Sequence, residues 1–567
     1  MIRFQKEEKE DESTLLPTSL YSVKHRPGIR KREKGISRLI TFIFILLIFL
    51  FFFHYREENE IKCAPAWSSI SALHCHHKAG QEKFNRLLQD QSRSVDQAIR
   101  RYKQKYNREP PQGFSHWVEY ALANDSPIID DFDQLEADLK PLRSVPPDIL
   151  KARIYSGMNQ GYVKLAEIKN GKVTMGNDEL GPIPKRARAA TALIEPIAQF
   201  LPDMEWLMNW GDRQVVRGQA SPKDHENEQV VLSPFSPEIA TSVLTSQCTK
   251  NTLANTSISE DRPSLDICKN TTNSALAREH GVFHSKADGF KASLPVISVG
   301  KFSTFEDILA PWCYGENGYI MHKDDKLPSF QSKEPALYWR GGTNGLTPTN
   351  VENWQYNHRA RILIRLAQMQ EMLADRLGSK NLRSVQSQLK DIGYNLPSLT
   401  KKQTEELSRL SPKNFNVGRA RGNLFPDREL QEHPAETSVI ESVLGRLEEN
   451  DRTVAFNYRF LLDMDGLGVS CRFYRLMGSG GVVFKQTQWA EWHDDRLVPY
   501  VHYIPIDLDA SQVPAFMDMM INTDVGRDIA NTIGDEAKRW TSTGLRKVDL
   551  TVLYYRLLLE LAQIYRG

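Results

Sequence analysis

Three stretches of this sequence combine residue types that bind phosphate, take up protons and bend backbone tightly. The first runs Tyr338 to Gly342 (YWRGG) and is followed by Asn357, His358 and Arg359 at the head of a helical pattern. Glycines let backbone approach a diphosphate, a helix N-terminus favours anions, and an arginine such as Arg340 or Arg359 grips phosphate through paired hydrogen bonds. Alone, the pair Gly341–Gly342 after a strand is more often a turn. The second runs Asp463 to Arg475 (DMDGLGVSCRFYR). It reads as a strand, a glycine loop holding Gly468 and Val469, then a helix from about Ser470 with Arg472 in its first turn, again an anion-cradling order. Its bland alternative is a capped helix with an exposed arginine. The third runs Leu201 to Asp212 (LPDMEWLMNWGD). A short apolar run ending at Asn209 and Asp212 sets a carboxylate at the carboxyl edge of a buried strand, where α/β proteins bind ligands. A carboxylate there can take the proton of an attacking hydroxyl. An aspartate before a loop is more often a cap.

Two further patterns raise metal chemistry. Asp463 and Asp465 have the D-x-D spacing that can hold a cation against a diphosphate. Asp131/Asp133 and Asp507/Asp509 match equally well, so the spacing discriminates little. The cluster His74 to His77 (HCHH) lacks a second ligand pair at zinc spacing. It reads better as a disulfide-bearing segment than as a metal site, and no metal site is assigned.

The elements that must position these residues follow from periodicity. Residues 78–106 are helical in pattern and 130–139 form another short helix. Residues 152–180 read as hairpin-rich, turning at Asn170–Gly171. A helix over 189–200 leads to a buried strand at 205–209. Residues 217–290 are rich in Ser, Thr, Asn, Asp and Pro and read as a long surface insertion. A strand at 335–339 and a strong helix at 357–376 follow, then a mostly polar excursion over 379–446. From Val454 onwards strands (460–463, 481–485, 500–506) alternate with helices (470–477, 513–521, 525–540), and an amphipathic helix closes the chain at 548–565. Alternation of this kind argues for βαβ units on a parallel sheet. Two α/β regions separated by an insertion imply two lobes with a cleft between them.

Composition bounds the class. The chain has 567 residues, 25% of them charged, with a net charge of only +2, which excludes the basic face of a nucleic-acid binder. The basic excess is local. Lys24, Arg26, Arg30, Lys31, Arg32, Lys34 and Arg38 precede the apolar run Leu39 to Tyr55, and Glu57, Glu58 and Glu60 follow it. A run of about 17 residues is the short end of a membrane span. The charge asymmetry leaves the N-terminus cytosolic and the remainder lumenal. All six cysteines lie beyond the run, where disulfides persist. Cys63 with Cys75 and Cys248 with Cys268 are the pairs nearest in sequence. Sequons at Asn124, Asn255 and Asn270 lie on the same side, so N-glycosylation is expected there. The organisation expected is a cytosolic tail at 1–38, a signal anchor at 39–55, a lumenal stem with helices at 56–150, an acceptor-side lobe at 151–335 and a second lobe at 336–567.

Taken together and in order, these blocks resemble the family 90 glycosyltransferases, a family with fungal capsule-associated xylosyltransferases and animal Rumi-type protein O-glucosyltransferases. The resemblance covers most of the expected lumenal part: YKQKYNREPPQGF from Tyr102, DDFDQ from Asp130, LPDMEWLMNWGD, ILAPW near Asp307, YWRGG, NHRARI, the block from Asp463 to Lys485, and Glu491 to Pro505. It implies a GT-B-like α/β fold: two Rossmann-like lobes facing a cleft, with a UDP-sugar held by the C-terminal one. It also implies inversion at the anomeric carbon with no essential cofactor or metal. Asp212 matches the general base. Arg340, Gly341, Arg359, Gly468, Val469, Ser470 and Arg472 match donor-binding positions, and Glu491 matches an acidic position suited to ribose hydroxyls. There are departures. The segment after Asp212 is Arg213, Gln214, Val215, without the usual proline, and Gly211 stands where relatives often have a larger residue. No retention tetrapeptide ends the chain. The resemblance therefore points to a single-pass type II Golgi membrane enzyme transferring a sugar, xylose first, to a glycan or glycoprotein. The alternatives are a protein O-glucosyltransferase and an inactive glycan-binding relative.

Overall fold

The structure is a computed structural model. It describes residues 63–567 except 177–182, 218–229, 231–232, 235–287 and short stretches at 303–304, 316–320, 322–325, 343–350, 352–353, 355–356, 376–383, 422–424, 426, 446, 449–450 and 508–509. The apolar run at 39–55, the sequons at Asn255 and Asn270, and Cys248 and Cys268 lie outside the described residues. Among the described residues no helix is long and apolar enough to cross a membrane. Residues 63–567 form one unit.

Among the described residues five α-helices precede the first strand, and the first four are α1 (Ile70–Gln89), α2 (Val95–Tyr106), α3 (Phe114–Ala123) and α4 (Asp133–Leu139). The single helical stretch expected over 78–106 is two helices, because Ser94 starts a new one by accepting from Gln97 N. These helices were expected to form part of a stem, and instead they pack into the body. Trp117 Nε1 donates to Val552 O at 2.9 Å, Tyr102 Oη donates to Glu560 at 2.9 Å, and Phe84 lies edge-on to Trp540 at 4.9 Å. The cause is apolar area: Tyr102, Phe114 and Trp117 would each expose about 150–250 Å² on a free stem.

Helix α5 (Pro147–Gly157) leads to the hairpin β1 (Val163–Lys169) and β2 (Lys172–Met175). Its turn is Asn170–Gly171, with φ of 50° and 70°, the left-handed pair that suits a two-residue hairpin loop. Helix α6 (Ile183–Ile194) passes through a 3-10 turn into β3 (Met204–Asn209), the buried strand expected from the sequence. β4 (Val296–Ser298) and β5 (Ile308–Leu309) complete a sheet of order β2-β1-β3-β4-β5. β3, β4 and β5 run parallel, but β1 is antiparallel to both its neighbours. This lobe is therefore only partly Rossmann-like, since a two-residue turn can join only antiparallel strands.

The second sheet is wholly parallel. Its strands are β6 (Glu334–Gly342), β7 (Phe415–Arg421), β8 (Tyr458–Met464), β9 (Val482–Gln486) and β10 (Ile504–Pro505), in the order β7-β6-β8-β9-β10. Counted from its own first strand, that order is 2-1-3-4-5. In such doubly wound sheets the ligand crevice opens where the order reverses, between the carboxyl ends of the first and third strands. Here those ends are Gly341–Gly342 and Met464. The strand expected at 500–506 shrinks to two residues, because Tyr500 has φ 63° and Tyr500 N closes a turn onto Tyr503 O at 2.7 Å.

The helices around this sheet include α7 (His358–Asp375), α8 (Phe473–Gly478), α9 (Val513–Asn522), α10 (Asp524–Thr543) and α11 (Lys547–Ile564). Helix α11 is buried along nearly its whole length and shares a core with Trp117, Leu193 and Trp206. The end of the expected C-terminal lobe thus returns to the first one.

Candidate functional site

The head of α7 meets the end of β8. Asn357 caps the helix, its Oδ1 accepting from Ala360 N at 3.1 Å. His358 Nε2 lies 2.5 Å from Asp465 O, and burial lowers this imidazole to about 3, so it is neutral and donates. Arg359 Nε donates to the same carbonyl at 2.8 Å, and its Nη1 donates to Gly342 O at 3.0 Å. Arg359 thus ties the ends of β6 and β8 across the point where strand order reverses. Burial, and after it the guanidinium of Arg472, pushes Arg359 down to about 9. A cation disfavoured in this way is relieved by an anion.

Arg472 approaches from the other side. Its guanidinium lies 5.8 Å from the Trp339 ring and that of Arg359 lies 5.7 Å from the same ring. Arg472 Nη1 donates to Arg340 O at 3.1 Å, and its Nε is 3.8 Å from Asp463 Oδ1. Two guanidiniums on one indole at a sheet's carboxyl edge suit a diphosphate. The Arg340 side chain turns elsewhere, to Asn416 O at 2.8 Å and Asn416 Oδ1 at 2.6 Å. Only the Arg340 carbonyl, just before Gly341, joins the site.

Ser470 Oγ donates to the buried Asp463, and α8 begins at Phe473 with Arg472 as its cap residue, later than expected. Lys485 Nζ is 3.6 Å from Asp463 Oδ2 and 3.1 Å from Glu491 Oε1. Burial opposes the Lys485 charge, but Glu491, Asp463 and Asp465 outweigh it and hold its pKa above the usual range. Glu491, expected at a ribose, is fully buried in this ion cluster with His493 3.7 Å away. Asp465 Oδ2 accepts from Gln488 N at 2.6 Å, and burial raises that carboxyl to about 8. The D-x-D pair at 463 and 465 is therefore turned into the fold. Asp131 and Asp133 share Lys105, and Asp507 bonds Ser511. Among the described residues no group of three or more His, Cys, Asp or Glu could hold a metal ion. In the histidine cluster, Cys75 pairs with Cys63 as expected, His76 bonds Ala64 O and the buried His77 bonds Tyr500 O.

On the facing lobe, β3 ends at Asn209. Its Oδ1 accepts from Gly211 N at 2.9 Å, and its Nδ2 donates to Arg213 O at 2.6 Å and Ser298 Oγ at 2.9 Å. Asp307 accepts from Val215 N at 2.9 Å, Val216 N at 2.7 Å and Ser298 Oγ at 2.5 Å. These two side chains hold the loop that lacks the proline. Asp307 stood in the sequence only as the residue before ILAPW, and nothing there marked its role. Gly211 is small because a Cβ there would meet Asn209 Oδ1 at 3.0 Å and the Tyr162 ring at 3.4 Å.

Asp212 itself is open, its side chain 40% exposed, with Oδ1 2.8 Å from Arg186 Nη2. Its backbone lies against Gly468. A Cβ placed on that glycine would be 2.9 Å from the Asp212 carbonyl carbon and 3.2 Å from its Cβ. Around this contact the two lobes are fastened. Val469 packs on Gly300, and Lys301 and Ala490 exchange backbone hydrogen bonds of 3.1 and 2.8 Å. Phe302 stacks on Trp489 at 4.5 Å, and Cys313 is disulfide-bonded to Cys471. Sequence spacing gave no route to that bond, since 158 residues separate the two cysteines. Asn124, a sequon residue, ends α3 with its Nδ2 donating to Tyr120 O at 2.8 Å.

The chain is similar to proteins from animals. Protein O-glucosyltransferase 1 of Mus musculus is 26% identical over 272 residues, 47% of this chain and 57% of that protein. Protein O-glucosyltransferase 1 of Homo sapiens is 24% identical over the same length and shares. O-glucosyltransferase rumi of Drosophila pseudoobscura pseudoobscura is 22% identical over 263 residues, 45% of this chain and 57% of that protein. The chain thus spans little more than half the length of the relatives it matches. Residues 416–566, which carry the glycine loop, Ser470, Arg472 and Glu491, match the profile described as Glycosyl transferase family 90. Through this segment the chain is similar to glycosyl transferase family 90.

Proposed function

We propose that the chain is an inverting glycosyltransferase moving a sugar from a UDP-sugar to a hydroxyl of a glycan or glycoprotein. The observation that carries this reading is the direct contact of Gly468, in the glycine loop, with Asp212 on the facing lobe. A donor held by the loop then has its anomeric carbon near the carboxylate. The acceptor oxygen attacks that carbon while Asp212 takes its proton. The sugar–phosphate bond breaks, and UDP leaves with its charge met by Arg359, Arg472 and backbone amides. No metal or cofactor is needed in this scheme.

Xylose is proposed as the donor sugar, from the likeness to the capsule-associated branch. Glucose is the second reading, favoured by the relatives named as O-glucosyltransferases. The two sugars differ by one hydroxymethyl group, which pocket shape discriminates. The test is a screen of UDP-xylose, UDP-glucose and other UDP-sugars, following UDP release and transfer. Turnover of UDP-xylose supports the first reading and preference for UDP-glucose the second. UDP binding with no turnover of any donor would make the chain an inactive relative. A Golgi membrane protein of type II topology is proposed with it, from the apolar run at 39–55. Endoglycosidase-sensitive glycan at Asn255 or Asn270 checks that topology.

A further inference from the structure

Asp212 stands on a loop, and a partly exposed carboxylate there has two soft torsions. Something must aim it. Arg186, on α6, bonds Asp212 Oδ1 through Nη2 at 2.8 Å and donates through Nη1 to Trp210 O. Its guanidinium lies 5.0 Å from the Trp312 ring, which packs edge-on to Trp210 at 6.1 Å. The helix behind it is anchored by the buried Ala187, Ala190 and Leu193. An exposed ion pair usually contributes little. This one differs because its arginine is itself held at a carbonyl and an indole. Trp312 adjoins Cys313, whose disulfide partner Cys471 lies between Ser470 and Arg472. One connected set of contacts thus runs from the glycine loop to the carboxylate.

We propose that Arg186 is a positioning residue for the reaction, holding Oδ1 of Asp212 so that Oδ2 faces the attacking hydroxyl. The proposal rests on the reading of Asp212 as general base. The Asp212 partner from the facing lobe, Gly468, brings no charge. Asp307 on the same lobe is engaged with Val215 and Val216 behind the loop. Among the described residues Arg186 is the charged group hydrogen-bonded to the carboxylate. Lysine cannot replace it fully, because one ammonium cannot serve Trp210 O and Asp212 in the same fork geometry.

The experiment uses the full chain, with kcat and KM measured for whichever of UDP-xylose and UDP-glucose turns over faster, and UDP affinity measured separately. Misaiming by about 1 Å costs on the order of 10²-fold, so Arg186→Ala should lower kcat by roughly 10–10²-fold. Donor KM and UDP affinity should stay within about twofold of wild type. Arg186→Lys should recover part of the loss, and added guanidinium should recover part of it in Arg186→Ala. In an Asp212→Asn background the Arg186→Ala change should have almost no further effect, since the two act as one unit. A wild-type kcat in Arg186→Ala would overturn the proposal. So would an undiminished loss in the Asp212→Asn background, or a parallel fall in UDP affinity without rescue. Near-normal turnover in Asp212→Asn alone would instead remove the base reading, whatever Arg186 does.

Discussion

Gly468→Ala perturbs the contact on which the site depends. A methyl group there would run into the carbonyl oxygen of Asp212, and would lie 2.9 Å from its carbonyl carbon and 3.2 Å from its Cβ. Ordinary carbon–carbon contact is about 3.5–4.0 Å, so the shortfall at the carbonyl carbon alone is roughly 0.6–1.1 Å, and the oxygen overlaps more. The two nearest obstructing atoms, the carbonyl oxygen and carbon of Asp212, are backbone, and neither partner can simply rotate away. Val469 on Gly300 and the Cys313–Cys471 disulfide hold the loop from both sides, so the strain must appear as a displaced glycine loop or a displaced base. Overpacking costs about 1–3 kcal/mol of stability. A shift near 1 Å at the reacting groups costs on the order of 10²-fold in rate. The assay is UDP affinity by calorimetry together with kcat for the preferred UDP-sugar, with Leu467→Ala, an exposed neighbour, as the control in the same loop. The expected outcome is a folded Gly468→Ala protein with turnover down by about two orders of magnitude and a near-normal Leu467→Ala. Wild-type turnover and UDP affinity in Gly468→Ala would mean that the loop and Asp212 need not touch, and the reasoning would fail.

Other outcomes follow from the same geometry. Arg472→Ala removes a charge-assisted contact worth about 1.5–3 kcal/mol, so UDP affinity should drop by roughly one to two orders of magnitude. Turnover should largely survive EDTA; complete loss restored by Mn²⁺ or Mg²⁺ would return Asp463 and Asp465 to the mechanism. Burial raises Asp465 to about 8 from an ordinary 3.8, so the folded state binds the extra proton between those values and stability falls as pH rises through that window. Asp465→Asn should flatten that slope in denaturant unfolding while keeping activity, and an unchanged slope would refute the assignment. Replacing Cys313 and Cys471 by serine should cost about 2–5 kcal/mol of stability and weaken UDP binding, measured on the same sample by unfolding and calorimetry.

Much of the second lobe was legible because its buried parallel strands are apolar runs punctuated by glycine and turns. Residues 460–463 and 481–485 announced β8 and β9 within two residues at either end. β7 was missed because Asn416, Gly418, Arg419 and Arg421 break any alternation, and its place beside β6 is set by tertiary pairing. The short span of β10 reflects a left-handed Tyr500, which no pattern reveals. At the site, glycines and arginines could be nominated from their types, but whether a side chain faces the crevice could not. Arg340 and Glu491 illustrate this, one drawn off by Asn416 and the other by Lys485. Arg186, Asn209 and Asp307 act through contacts across 26 to 92 residues of chain, a distance over which spacing carries no signal.

The central claim is that Asp212 takes the acceptor proton while the opposite lobe holds the donor. Asp212→Asn keeps the size of the side chain and a bond acceptor for Arg186 but removes the basicity. General-base catalysis contributes about 10²–10⁴-fold. The deciding measurement is therefore kcat and UDP affinity of folded Asp212→Asn beside wild type. The account predicts turnover lower by that factor with UDP affinity essentially unchanged. Near-normal turnover would contradict it and remove Asp212 from the mechanism.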